Sequence, residues 1–424
     1  MARRVIQVEE KLPLLEALPL SFQHLFAMFG ASVLVPILFK IDPATVLLFN
    51  GIGTIIYLVL CKGKTPAFLG SSFAFLSPAF AVMAAHSYEY ALGGFVVSGL
   101  IFMATATLIY FVGIKWIDVV FPPAAMGAIV AIIGLELAPV AADMAGLTAK
   151  TLDPKTITVS MLTLLIVILG SVLFRGFLAV IPVLIGVVGG YIIALAMGMV
   201  DFTPVAQAAW FKMPTIYTPT FDVGAIITII PAALVVIAEH VGHLIVTGNI
   251  VGRDLARDPG LHRSLMGDGV STTLSGFFGS VPTTTYGENI GVMAITRVYS
   301  VWVIGGAAVI SMILAFSGKL AALIQSIPVP VMGGICLLLF GVIAASGIRM
   351  LVEQKVDYSK PKNLVLSAVV LTIGLSGAHV ELGTVSLKGM ALATVISIFI
   401  SLAFKVFEMM GAMNDHDDDV KVPH

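Results

Sequence analysis

Two apolar stretches carry the residues able to do chemistry. AALVVIAEHVGHLIVTGNI (232–250) holds Glu239, His240 and His243, and YGENIGVMAITR (286–297) holds Glu288 and Asn289. On a helix Glu239 and His243 share one face, while His240 is turned away by about 100°. An ionisable side chain at membrane depth is costly, so it marks a functional site by default. For Glu239, Glu288 and His243 function outweighs a structural ion pair; for His24 and His240 a packing hydrogen bond is expected. A zinc hydrolase would need histidines four apart with a glutamate between them. Here the histidines are three apart, so neither a metal nor a cofactor is expected. Two carboxylates accept hydrogen bonds and repel anions. They suit a neutral or cationic ligand with N–H groups, and a planar ring such as uracil, alternating N–H and C=O, fits them together with backbone N–H donors.

These residues need a membrane around them. The 424-residue chain is 58% hydrophobic and 11% charged, with mean hydropathy +1.05. So few charges cannot cover a soluble domain. Apolar runs long enough to cross a bilayer recur throughout. We read an all-α polytopic protein of 14 transmembrane segments, the third near 68–85, the eighth near 223–247 and the tenth near 286–298. With the N-terminus inside, 17 basic residues fall in the cytoplasm and 6 outside (Lys40, Lys150, Lys155, Lys212, Lys319 and Lys388), accounting for all 23. That asymmetry puts both termini inside. The first twenty residues show no cleavable signal pattern. Cys61 and Cys336 are too few for a disulfide framework, and no nucleotide-binding motif is seen. The tail NDHDDDVKVPH (414–424) reads as a solvated end.

The chain also reads twice. FPPAAMGAIVAIIGLELA (121–138) returns as IPVPVMGGICLLLFGVIA (327–344). SFQHLF (21–26) is echoed by IAEHVG (237–242), setting His24 opposite His240, and TPAFLGSSFAF (65–75) lies opposite VPTTTYGENIG (281–291), setting Ser72 opposite Glu288. The repeat is seven segments long; because seven is odd, the second half inserts inverted, as in secondary transporters. Segments three and ten are interrupted by Pro66, Gly70, Pro78, Gly279 and Pro282. Extended backbone at that depth must line a cavity or be buried in protein. Two half-helices are therefore expected to start near Ser71–Phe73 and Gly287–Asn289, with free N–H groups aimed at a central pocket.

ENIGVMAITR (288–297) is similar to the signature of the nucleobase–ascorbate transporters, the nucleobase:cation symporter-2 family: an acidic or amide residue, then N-x-G-x-x-x-x-T-[RKG]. Gln23-His24 resembles the family's QH motif, and the likeness runs from about residue 10 to 408. The resemblance implies a core domain from 1–116 and 223–317, a gate domain from 117–222 and 318–410, and a cytoplasmic tail at 411–424. It implies short antiparallel strands in segments three and ten. Glu239 and Glu288 would bind the ring nitrogens of uracil, and amides near Phe73 and Gly287 its carbonyls. His243 would sit nearby, Ala31, Phe73 and Tyr286 would form apolar walls, and Phe340 would reach in from the gate. Some relatives carry Tyr at that last position. Members often dimerise through the gate.

The implied activity is uracil import across a bacterial inner membrane by proton symport, with the proton shared among Glu239, Glu288 and His243. Two carboxylates facing one pocket would titrate as a unit. The ligands expected are thus a nucleobase and a proton, with lipid around the protein and no nucleic acid. The alternatives are a xanthine or purine permease of the same family or, less in keeping with the residues, an intramembrane enzyme or a passive channel.

Overall fold

A computed structural model describes residues 5–176, 178–383 and 385–413. Helices dominate it. The first half contains α1 (Leu14–Phe39), α2 (Pro43–Leu60), strand β1 (Leu69–Ser71), α3 (Leu76–Ala85), α4 (Tyr88–Val112), α5 (Pro123–Glu136), α6 (Pro154–Leu173) and α7 (Pro182–Ala196). The second contains α8 (Val223–Val251), α9 (Leu261–Phe277), strand β2 (Thr283–Thr285), α10 (Gly287–Thr296), α11 (Val301–Ala315), α12 (Val329–Glu353), α13 (Pro361–Leu375), the hairpin β3 (His379–Leu382) and β4 (Val385–Lys388), and α14 (Gly389–Met409). Among the described residues, 8 helices are long and apolar enough to cross a membrane. The protein is therefore a multi-pass membrane protein.

Local chemistry starts and stops these helices. Asp42 caps α2 by accepting from the Ala44 amide at 3.0 Å, with Pro43 at the first helical position. Asp222 caps α8 in the same way through Ala225, at 2.9 Å. Both use the orphan amides of a first turn. At the other end, α8 stops at Gly252 and α1 at Lys40, each in the left-handed conformation. Three features were not expected from the sequence. The β3–β4 hairpin precedes α14, a break at Leu137 separates α5 from the short helix Ala138–Met144, and α12 runs on to Glu353.

The helices pack in two groups. In one, α2 and α4 flank α9, α1 and α2 lie against α11, and α4 meets α8. In the other, α12 packs on α5 and α6, α6 on α7, and α13 on α5 and α14. Along the seam between them, α1 meets α7 so closely at Gly30 that any Cβ there would strike Val183.

The two strands lie in the first group and pair with each other. Leu69, Gly70 and Ser71 stand antiparallel to Thr285, Thr284 and Thr283. A two-stranded ribbon away from water must satisfy its outer edges as well. Threonines on the flanking helices do so. Thr54 of α2 accepts from the Leu69 amide at 2.9 Å, and Thr272 of α9 accepts from the Thr283 amide at 3.2 Å.

Candidate functional site

The site is built where β2 turns into α10. Tyr286 stands at the N-cap; its amide donates to the Phe68 carbonyl at 3.0 Å and its hydroxyl to the Ser71 carbonyl at 3.1 Å. Its ring lies against Gly70 of β1, where a Cβ would overlap the ring carbons. That close approach explains the glycine. Tyr286 is thus almost wholly covered, a wall packed onto the ribbon. The helix it starts is only 10 residues long, or about 15 Å, half of a bilayer core of about 30 Å. It ends at Arg297, whose left-handed backbone lets its amide cap Met293.

Glu288 lies in the first turn of α10 and is exposed, as is Gly287 before it. Among described atoms, a Cβ at Gly287 would meet only Nε2 of His243, at 3.6 Å, and one at Gly291 would meet nothing. Ala294 and Ile295 are exposed as well. An open stripe therefore runs down one side of the half-helix, from Gly287 toward Arg297. The opposite side is anchored. Asn289 is fully buried, and its side-chain amide donates to Nδ1 and to the backbone carbonyl of His24 on α1, at 3.1 and 3.0 Å.

From α8, Glu239 and His243 face this turn, both half-buried. Nδ1 of His243 is 3.0 Å from the Thr285 hydroxyl, so the last residue of β2 holds the ring. Glu239 and Glu288 are close enough for their charges to act on one another, and Glu288 also acts on the Tyr286 hydroxyl. From the first half, Phe73 follows β1 in a single 3-10 turn and is half-buried. The edge of one ring meets the face of the other between Phe73 and buried Phe340 of α12, with centroids 6.3 Å apart. The second helix group thus touches the site here. Ser72 is buried, and its amide already donates to the Pro282 carbonyl at 2.9 Å, so it is not one of the free donors expected at this end. Ala31 lies on α1, but its side chain is outside the described structure, as are residues 414–424 of the acidic tail.

One carboxylate escaped the sequence reading. Asp268 of α9 is fully buried, with Oδ2 3.2 Å from Nδ1 of His240. Nε2 of His240 is 2.7 Å from the Ser264 hydroxyl, which lies 2.7 Å from the hydroxyl of Tyr57. The charge of Asp268 also acts on Glu239. The rule that flags intramembrane charges applies to Asp268 too, but LHRSLMGDGVSTTLSGF is so rich in Ser, Thr and Gly that one more polar residue does not stand out. Thr54, Thr272 and Thr285 were missed because their roles exist only once the ribbon is formed.

The Permease family matches residues 15–383. The chain is 63% identical over 413 residues to the uracil permease of Escherichia coli (strain K12), covering 97% of this chain and 96% of that one. The chain belongs to the nucleobase:cation symporter-2 family. This permease is also 61% identical to the uracil permease of Paenibacillus larvae (98% of this chain, 100% of that one) and 46% identical to that of Bacillus subtilis (90% and 91%). It is a transporter and not an enzyme. Solved structures share the permease's fold at low identity. The transmembrane domain of the cyanobacterial bicarbonate transporter BicA matches with a TM-score of 0.66 at 15% identity, over 94% of this chain and 99% of that one. The murine anion transporter Slc26a9 in its inward-facing state matches with a TM-score of 0.73 at 12% identity, over 94% and 69%.

Proposed function

We propose that this permease imports uracil together with a proton by alternating access, crossing the inner membrane fourteen times as two inverted repeats, with both termini in the cytoplasm. What supports the reading is that Glu239 on α8 lies within electrostatic reach of Glu288 in the exposed first turn of α10, in a chain 63% identical to a uracil permease. Two carboxylates accept from the two ring N–H groups of uracil, and the first amides of the half-helix are placed to donate to a carbonyl. Phe73 lies against one side of the ring. His243, held by Thr285, orients the ligand directly or through water. The proton resides among Glu239, Glu288 and His243, and the pair of carboxylates titrates as a unit.

The group of α1–α4 and α8–α11 is the moving core and the group of α5–α7 and α12–α14 the gate, through which two copies would pair. The strands β1 and β2 interrupt segments three and ten and hold both half-helix ends at the middle of the membrane. The exposed stripe from Glu288 toward Arg297 supports an inward-facing state. Each proton entering supplies about 2.3 kcal/mol per 100 mV, so an assumed ~150 mV supports accumulation of several hundred-fold. The bicarbonate and anion carriers share the fold alone. A site with two carboxylates would repel their cargo.

The test is uptake of labelled uracil into proteoliposomes with and without an imposed pH gradient. Uphill uptake that a protonophore abolishes is expected. Inhibition of that uptake by unlabelled xanthine at lower concentrations than by unlabelled uracil would point to the purine reading instead. Uptake that only equilibrates the ligand and ignores the protonophore would point to a passive channel.

A further inference from the structure

One half-buried carboxylate has no part in the site. Glu136 ends α5, in the second helix group, and its carboxylate joins three elements. Oε2 accepts from the Met390 amide at the start of α14, at 2.9 Å, and Oε1 accepts from the Ser77 hydroxyl of α3, at 2.5 Å. Gly389 makes room for it: a Cβ there would overlap the carboxylate, and the residue has φ +52°. Lys388 acts on the same charge. Two of these partners lie within the second group, but Ser77 does not. It sits on the half-helix of the first group, four residues after Phe73, whose ring meets Phe340. The seam between the groups is therefore crossed at two successive levels of one short segment, by an aromatic pair beside the candidate site and by a hydrogen bond to a carboxylate one turn farther along.

A second polar link crosses at the same end, where the Ser386 amide donates to the Thr228 hydroxyl at 3.3 Å. The contrast with the other end is the informative part. There, the face of α10 from Gly287 to Ile295 stands open.

We propose that the Glu136–Ser77 hydrogen bond is the latch that holds the outer end of the seam shut, and that each transport cycle must break it. The inference rests on the alternating-access reading above. A hydrogen bond to a charged group is strong enough to bias a two-state equilibrium by about tenfold or more. It is also reversible without unfolding, because Met390 and Gly389 keep the carboxylate seated when Ser77 departs. Glu136 is a positioning residue: it would set where the Phe73 half-helix rests, without touching uracil.

The experiment uses the full chain in proteoliposomes, carrying Ser77→Cys and Glu136→Cys; the native Cys61 and Cys336 are both buried. A short, reducible bifunctional thiol reagent joins the pair. The expected result is that uptake of labelled uracil stops on cross-linking and returns with dithiothreitol, while uracil binding by the cross-linked protein in detergent is retained. Uptake that continues with the link formed would overturn the latch and leave the transport reading intact. Absence of uphill uptake by the unmodified parent would overturn the transport reading itself.

A second measurement avoids dependence on the double variant. With Ala81→Cys as reporter, one turn beyond Ser77, Glu136→Ala should raise the rate of labelling by an impermeant thiol reagent added outside by about tenfold. Glu136→Gln, which still accepts from Met390 and can donate to Ser77, should leave the rate near the parent's. Equal rates in all three would also overturn the latch.

Discussion

The amide of Asn289 holds His24 twice, at the ring nitrogen and at the backbone carbonyl, 3.1 and 3.0 Å away. Through this pair the half-helix bearing Glu288 is fastened to α1, and Glu288, one residue earlier, is left on the free side. A buried amide that satisfies two acceptors is costly to remove, because the ring nitrogen of His24 is then orphaned.

Replacing Asn289 with alanine should therefore lower stability by about 2 kcal/mol and loosen the aim of Glu288. We expect a lower melting temperature in detergent together with weaker uracil binding, read by thermal shift and by scintillation proximity. Unchanged values for both would show that His24 does not anchor the half-helix.

Glu239→Gln and Glu288→Gln test the site itself. Each removes a carboxyl able to carry the negative charge of the pair, and hydrogen bonds to charged groups are worth about 1.5–3 kcal/mol. Uracil affinity should fall by roughly ten- to hundredfold for Glu239→Gln. Glu288→Gln should lose accumulation driven by a pH gradient. A Glu288→Gln protein that still concentrates uracil under a proton motive force would end the proposed role of Glu288 in coupling.

Thr285→Val keeps the shape of the side chain but frees Nδ1 of His243, now 3.0 Å from the threonine hydroxyl. Because β2 keeps its backbone pairing, stability should change by no more than about 1 kcal/mol. Uracil binding should weaken several-fold if ring orientation matters. Comparing equilibrium binding with the melting temperature separates the two effects.

Gly70→Ala places a methyl group into the ring of Tyr286. Overpacking of this sort costs about 1–3 kcal/mol, and here it would also spread β1 from β2. We expect a lower melting temperature and loss of binding together. Tyr286→Leu in the same chain should restore part of the stability, which a double-mutant cycle would measure.

The N-terminal segment should respond to acid. Ile6 pairs with Val298, and Glu9 forms an ion pair with Arg253, which closes α8. The guanidinium beside Glu9 holds its carboxyl below its ordinary value. A carboxyl lowered in the folded state stabilises the clasp fully above its unfolded pKa and loses that contribution as pH falls through the folded one. Amide protection factors over residues 5–10, corrected for the intrinsic slowing of exchange in acid, should therefore fall on acidification. Arg253→Ala should give the low protection already at neutral pH, and high salt should weaken the clasp in the wild type.

Composition and motif alone determined the membrane class and the family, and they singled out Glu239, His243, Glu288, Asn289 and His24 as candidates, because ionisable side chains at membrane depth are rare enough to stand out in a linear chain and the last two fall in recognisable motifs. Glycines and prolines at 66–78 and 279–282 likewise announced broken segments, since neither residue tolerates a helix interior well. What lay beyond reach were relations between distant residues. Nothing in LGS or TTT says that Leu69 stands opposite Thr285, or that Thr54 and Thr272 satisfy the outer edges of that ribbon. The Asp268–His240 contact and the bond from Glu136 to Ser77 are of the same kind, joining residues 28 and 59 positions apart. Periodicity reports which face of a helix is apolar, but not which neighbour it meets. That choice belongs to packing, where a missing Cβ at Gly30, Gly70 or Gly389 decides how closely two elements can approach.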